Sequence, residues 1–210
     1  MLRRKNNIKK LLCLTLLLSS FLCIGQTRDK GNIELTPIIG YSASYNIGSF
    51  IFGSSPSSGI HIGVYGNYYL NNRWSLQSGL LYQNMGTEKV KFFIFSDDYK
   101  EKSNYLTIPL IVNYHFGANR NWYFNYGVSL GFLTKIEGNY DDGNGYVDII
   151  DIGNPIQFGL NSGIGYKFEI SPNLTIVIDN YNMIGLTDTT DQRNAKNFYM
   201  SFNLGAVFKI

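Results

Sequence analysis

Cysteine is nearly missing from this chain: Cys13 and Cys23 are the two it has, and both lie in the first 25 residues. Histidine is as scarce, with His61 and His115 the pair, which leaves little material for general-base or zinc chemistry. Proline occurs five times among 210 residues. Charge of one sign is not in excess either, and no apolar run reaches the roughly 20 residues that a spanning helix needs. The run from Leu11 to Ile24 falls short of that, and Arg3, Arg4, Lys5, Lys9 and Lys10 precede it. This is the layout of a secretory signal peptide, expected over residues 1–25 with a cut after Gly25. Cys23 offers a lipoprotein alternative, which the bulky Leu22 before it disfavours.

Cleavage there removes both cysteines, so disulfides and thiol chemistry are excluded from the product. It also removes five of eighteen basic residues and no acidic one, leaving thirteen against fifteen. The exported chain is slightly acidic, and no nucleic-acid partner is implied. Residues 26–210 fit a single domain.

What the chain has instead is glycine and aromatics, with 22 Gly, 16 Tyr and 14 Phe, a composition suited to glycine-interrupted strands. From Phe198 to Ile210 every even position is apolar: Phe198, Met200, Phe202, Leu204, Ala206, Phe208 and Ile210. The odd set is mostly polar or small, so a strand here has one greasy face. Leu106 to Phe116 and Trp122 to Phe132 repeat the pattern cleanly, as do segments beginning at Ile33, Ile60, Trp74 and Ile156. Leu81 and Val207 are exceptions to it. A further segment from Leu174 is expected to lose register near Asn180 to Asn182 through a bulge.

Links between these segments alternate in length. Residues 71–73, 117–121 and 171–173 are short; residues 45–58, 86–103, 136–155 and 187–196 are long. Together these features predict an all-β fold, an eight-stranded antiparallel up-and-down transmembrane β-barrel with long outward loops and short periplasmic turns. Trp74 and Trp122, each just after a short turn, fit an interfacial aromatic girdle.

The segment Asn104-Tyr105-Leu106-Thr107-Ile108-Pro109-Leu110, with Tyr114-His115-Phe116-Gly117 after it, resembles the "YLxIPLL" strand and turn of the outer membrane protein beta-barrel domain family. That family is common in Bacteroidetes and is also described as porin-like or PorT-like. The resemblance extends to the terminal Gly-Ala-Val-Phe-Lys-Ile. It implies an eight-stranded barrel in the cell outer membrane, in contact with membrane lipid and lipopolysaccharide, and inserted by the barrel assembly machinery. Phe208 and Ile210 resemble the C-terminal signal read by that machinery.

A barrel of eight strands is just wide enough for side chains to fill it. Glu34, His61, Lys135, Lys167, Glu169 and Asp179 are expected to point into the lumen and to plug it by mutual pairing, with Lys209 on the same face. His61 and His115 are expected at opposite rims, where they share neither a metal nor a mechanism. Ser57 and Ser58 close to His61 are too weak a signal for an acyl hydrolase. The Asp141 to Asp148 segment has oxygen donors around glycines, but Ile152 stands where an EF-hand needs Glu. No cofactor or metal is expected, and no catalytic activity.

Candidate contact residues lie in the long links: Phe50, Ile51 and Phe52 in the first, and Phe92, Phe93, Ile94 and Phe95 in the second, after Lys89 and Lys91. Apolar groups at a rim make a contact patch, or else the strands simply continue there as a hairpin. The expected role is structural, anchoring or surface contact. A secretion-associated or ligand-binding module and a narrow porin-like channel are the alternatives.

Overall fold

The computed structural model describes residues 29–48, 52–92, 95–140, 145–150, 153–171, 174–190 and 194–210. The expected leader, residues 1–25, lies outside them, as do Phe50, Ile51, Phe93 and Ile94. Among the described residues nine strands form: β1 (Ile33–Gly48), β2 (Phe52–Tyr69), β3 (Trp74–Phe92), β4 (Phe95–Phe116), β5 (Trp122–Tyr140), the two-residue β6 (Val147–Asp148), β7 (Ile156–Ser171), β8 (Leu174–Gly185) and β9 (Ala195–Lys209). Every neighbour pair is antiparallel. β1 pairs with both β2 and β9, and β4 pairs with β5, so the eight long strands close on themselves and β6 adds to the outer end of β5. Closure satisfies the backbone of every long strand from its neighbours.

Local chemistry sets the three short turns. Asn71 Oδ1 accepts from the amides of Arg73 at 2.8 Å and Trp74 at 3.0 Å, an Asx turn that reverses the chain between β2 and β3. Between β4 and β5, Gly117 and Arg120 both have positive φ (87° and 57°), and the Arg120 amide donates to the Gly117 carbonyl. Between β7 and β8, the Ser171 hydroxyl accepts from the Leu174 amide at 3.2 Å.

Outside, the even-numbered stripes of β4 and β9 stand exposed, Leu110 at 60% and Phe202 at 61%. Exposed apolar residues recur on each long strand, far beyond what a water-facing surface carries. At the short-turn end, aromatic rings form a belt from β3 to β7. Trp74 lies against Tyr114 (4.8 Å between centroids), Phe116 against Phe124 (4.7 Å), and Trp122 against Tyr166 (4.8 Å).

Inside, most buried side chains are polar. The residues that break the alternation fill the lumen: Leu81 packs with Ile38 and Tyr65, and Val207 packs with Tyr123 and Val177. Ile111 joins Met85, Tyr105, Tyr181, Met183 and Tyr199 in a third cluster.

Two expectations about register need correction. β8 holds one register with β9 from Thr175 to Ile184, and its shift against β7 lies only at the turn between Glu169 and Ser171. Asn180 and Asn182 therefore stay on the outward face of an unbroken strand. A bulge does occur in β5, where Asn104 pairs with Lys135 but Tyr105 pairs with Leu133, leaving Thr134 extra. The insertion reverses the faces beyond it, so Ile136 is fully buried and Lys135 is exposed. The expectation that Lys135 lines the lumen fails for that reason.

The long links are also shorter than their spacing implies. β3 and β4 run to Phe92 and from Phe95, and β1 and β2 to Gly48 and from Phe52, so the first two outward links are chiefly hairpin extensions of the wall. β4 has 22 residues and β8 has 12. That difference amounts to roughly 30 Å of strand, and one side of the barrel stands much taller than the other.

Candidate functional site

The lumen near the short-turn end holds the chain's most demanding polar cluster. Glu34 on β1 and Lys167 on β7, 133 residues apart, form a buried ion pair across the barrel. Tyr69 on β2 donates its hydroxyl to Glu34 at 2.9 Å and accepts from Lys167 Nζ at 2.8 Å. Lys167 Nζ also lies 5.4 Å from the Tyr69 ring centroid and 5.9 Å from that of Tyr123. Next to it, Tyr123 on β5 donates to Asp179 Oδ2 at 2.8 Å, and Asn203 on β9 donates to Asp179 Oδ1 at 2.6 Å. Charge-assisted bonds of this kind are what a buried carboxylate requires.

Asn113 extends the cluster towards β2 and β3, donating to Asn67 and Gln77, both at 2.9 Å. Ser75 bonds His115 Nε2 at 3.0 Å. The space between Thr36, Tyr65, Tyr123, Lys167 and Asp179 amounts to about 10 Å³, room for about one water and nothing larger. Close approach makes this packing dependent on glycine: a Cβ on Gly165 would lie 2.6 Å from Tyr123 Cε1.

Higher in the lumen, Tyr199 bonds His61 Nδ1 at 2.6 Å. Tyr181 and Ser129 both donate to Asn161 Oδ1. Near the outer end Asn46 donates to the buried Glu101 at 3.4 Å. The links after β5 and β8 meet through the Gly153–Thr190 bridge, and Thr189 and Thr190 are buried there.

Glu34, His61, Lys167 and Asp179 thus point inward and are buried. Glu169 is half-buried at the short-turn end, and Lys209 is exposed at the last paired position of β9. Lys135 pairs outside with Glu137 at 2.8 Å. His61 sits mid-strand rather than at a rim, because β2 starts at Phe52, and Tyr199 rather than Ser57 is its partner. Among the described residues no group of three His, Cys, Asp or Glu side chains could hold a metal. Asp141, Asp142 and Asn144 lie outside them. Phe52, Phe92 and Phe95 belong to strand ends whose side chains are not described. Sequence patterning alone missed Tyr69, Tyr123 and Asn203; each is a polar or aromatic residue on the inward stripe of a strand, and that parity was the available signal.

The sequence profile of the outer membrane protein beta-barrel domain matches residues 26–191. The chain belongs to that family. No curated protein sequence matches this outer membrane barrel. Among solved structures it is similar to the outer membrane protein OprG from Pseudomonas aeruginosa, with a TM-score of 0.60 and 13% identity over 90% of this chain and 99% of that one. The N-terminal β-barrel domain of Pseudomonas aeruginosa OprF gives a TM-score of 0.49 at 14% identity, over 87% of this chain and 100% of that one. At these identities the likeness is one of fold. The closed barrel with its apolar exterior lies in the outer membrane.

Proposed function

We propose that this outer membrane barrel is a plugged, non-catalytic scaffold that anchors a tall outer rim for contacts at the cell surface. The observation that carries the reading is the cross-lumen cluster of Glu34, Lys167, Tyr69, Tyr123 and Asp179. That cluster fills the lumen at its level and leaves space for about one water, which supports a plugged interior. His61 is held by Tyr199, and the Ser75–His115 pair, 3.0 Å apart, is fully buried among lumen side chains, away from any substrate.

Residues 1–25 act as the cleaved leader in this reading, supported by a family match that begins at residue 26. Lipopolysaccharide and membrane lipid surround the barrel, the assembly machinery inserts it, and the Tyr105 to Leu110 motif supports placement in the porin-like or PorT-like branch of Bacteroidetes.

The deciding experiment is planar-bilayer recording on refolded protein. The expected trace is flat at all potentials, whereas steady unitary conductance would restore the narrow channel. A second reading, a ligand-binding or secretion-associated module, draws on the unequal wall, because β3, which ends at Phe92, and β4, which begins at Phe95, are much longer than β8. Deletion of that hairpin tip with loss of a surface-binding phenotype, in a barrel that still assembles, would favour it.

A further inference from the structure

Among the described residues the lipid-facing surface carries polar side chains in a few places, Ser78 on β3 and the Asn84–Asn104 pair of β3 and β4 among them, and a third such place lies on β7 and β8. Ser162, Asn180 and Asn182 face outward there, flanked by exposed Leu160 and Ile164 on β7, Ile178 and Ile184 on β8, and Met200 and Phe202 on β9. Apolar neighbours on both sides along the strands set these groups inside the hydrocarbon layer rather than at its edge. Polar side chains facing hydrocarbon are costly and rarely without a role.

Their hydrogen bonds are partly made. Asn182 Nδ2 donates to Asn180 Oδ1 at 2.6 Å and to the Ser162 carbonyl at 3.3 Å, and Asn180 Nδ2 donates to the Ser201 carbonyl at 3.1 Å. That leaves Asn182 Oδ1 as an acceptor and the Ser162 hydroxyl as a donor with no partner among the described residues. Just below, Trp122, Ile164, Tyr166, Ile178, Asn180 and Phe202 line a groove of about 580 Å³.

We propose that this β7–β9 face is a self-association surface, and that its occupant is a second copy of the same chain. Copies inserted in one orientation are related by an axis along the membrane normal, so the face meets itself at equal depth. The patch is self-complementary under that axis: the Ser162 hydroxyl of one copy donates to the Asn182 carboxamide oxygen of the other, twice. The apolar groove and the exposed Phe202 and Tyr126 (65% exposed) supply packing around the bonds. This goes beyond the scaffold reading, since a plugged barrel anchors equally well as a monomer.

The test places single cysteines on the full chain expressed in outer membranes, at Asn182→Cys and, on the opposite wall, at Leu80→Cys. Copper-phenanthroline oxidation is expected to give a disulfide-linked band of twice the barrel's mass at position 182 and little at 80. Equal yields at both positions, or a product of another mass, would overturn the proposal. Fluorescence energy transfer between wild-type copies in lipid vesicles provides a second measurement independent of cysteine. Asn182→Leu with Ser162→Ala should weaken association about tenfold, given the modest worth of each intramembrane hydrogen bond, with the heat-dependent gel shift retained as proof of folding. Unchanged energy transfer in that variant, or none in wild type at high protein density, would equally overturn it.

Discussion

The ion pair between Glu34 and Lys167 and the exposed pair between Lys135 and Glu137 show how little a charge in the sequence says about its energetic weight. Removing one partner of a buried pair leaves the other charge without compensation in a dry interior. Lys167→Met should therefore destabilise the barrel by about 3–5 kcal/mol, read as a lowered midpoint in urea unfolding of vesicle-inserted protein. Glu34→Gln combined with Lys167→Met should recover a good part of that loss, because both charges go together. Lys135→Ala should leave the midpoint unmoved, its side chain being in solvent; an equal drop there would contradict the outward placement. All four charges lie in strands with readable alternation. What separated Lys135 from Lys167 was one inserted residue, Thr134, whose hydroxyl donates to the Asn104 carbonyl at 2.9 Å and leaves no trace in a hydrophobic pattern.

At the scale of strands, alternation was legible wherever one face meets lipid, because a one-residue slip would turn the whole apolar stripe inward. It held through β8 as well, where Asn180 and Asn182 look like a break in the pattern but keep their parity and their register with β9. Polar side chains on the apolar face mimic a bulge in sequence; only the ladder distinguishes the two. Strand glycines divide by what stands near the position a Cβ would take. Gly165→Ala should cost about 1–3 kcal/mol by pressing on the Tyr123 ring. Gly66→Ala, on the outward face with its nearest atom 3.9 Å away, should stay within about 0.5 kcal/mol in the same unfolding assay. Strand ends were the least legible part. Lys89 to Phe95 lacks clean alternation and reads as loop, yet β3 and β4 extend to Phe92 and from Phe95 by pairing with each other. Shortening this hairpin should leave insertion and the gel shift intact, since it lies beyond the apolar band; loss of assembly would mean the tall wall is part of the folding unit.

For the molecule as a whole, closure makes unfolding cooperative and resistant to detergent at room temperature, so unheated protein should migrate faster than boiled protein in a denaturing gel. A single band in both conditions would argue against a closed barrel. Eight amphipathic strands, their number and the direction in which their apolar faces point follow from the residues alone, because period two is the only arrangement that puts every greasy side chain on one surface. Which strands meet to close the sheet, and which inward groups meet across it, do not follow from any local pattern. Glu34 finds Lys167 across a separation of 133 positions, and Asp179 finds Tyr123 across 56. A short-range code carries facing, whereas the identity of the partner across the lumen is decided only when curvature and closure bring distant strands to within hydrogen-bonding reach.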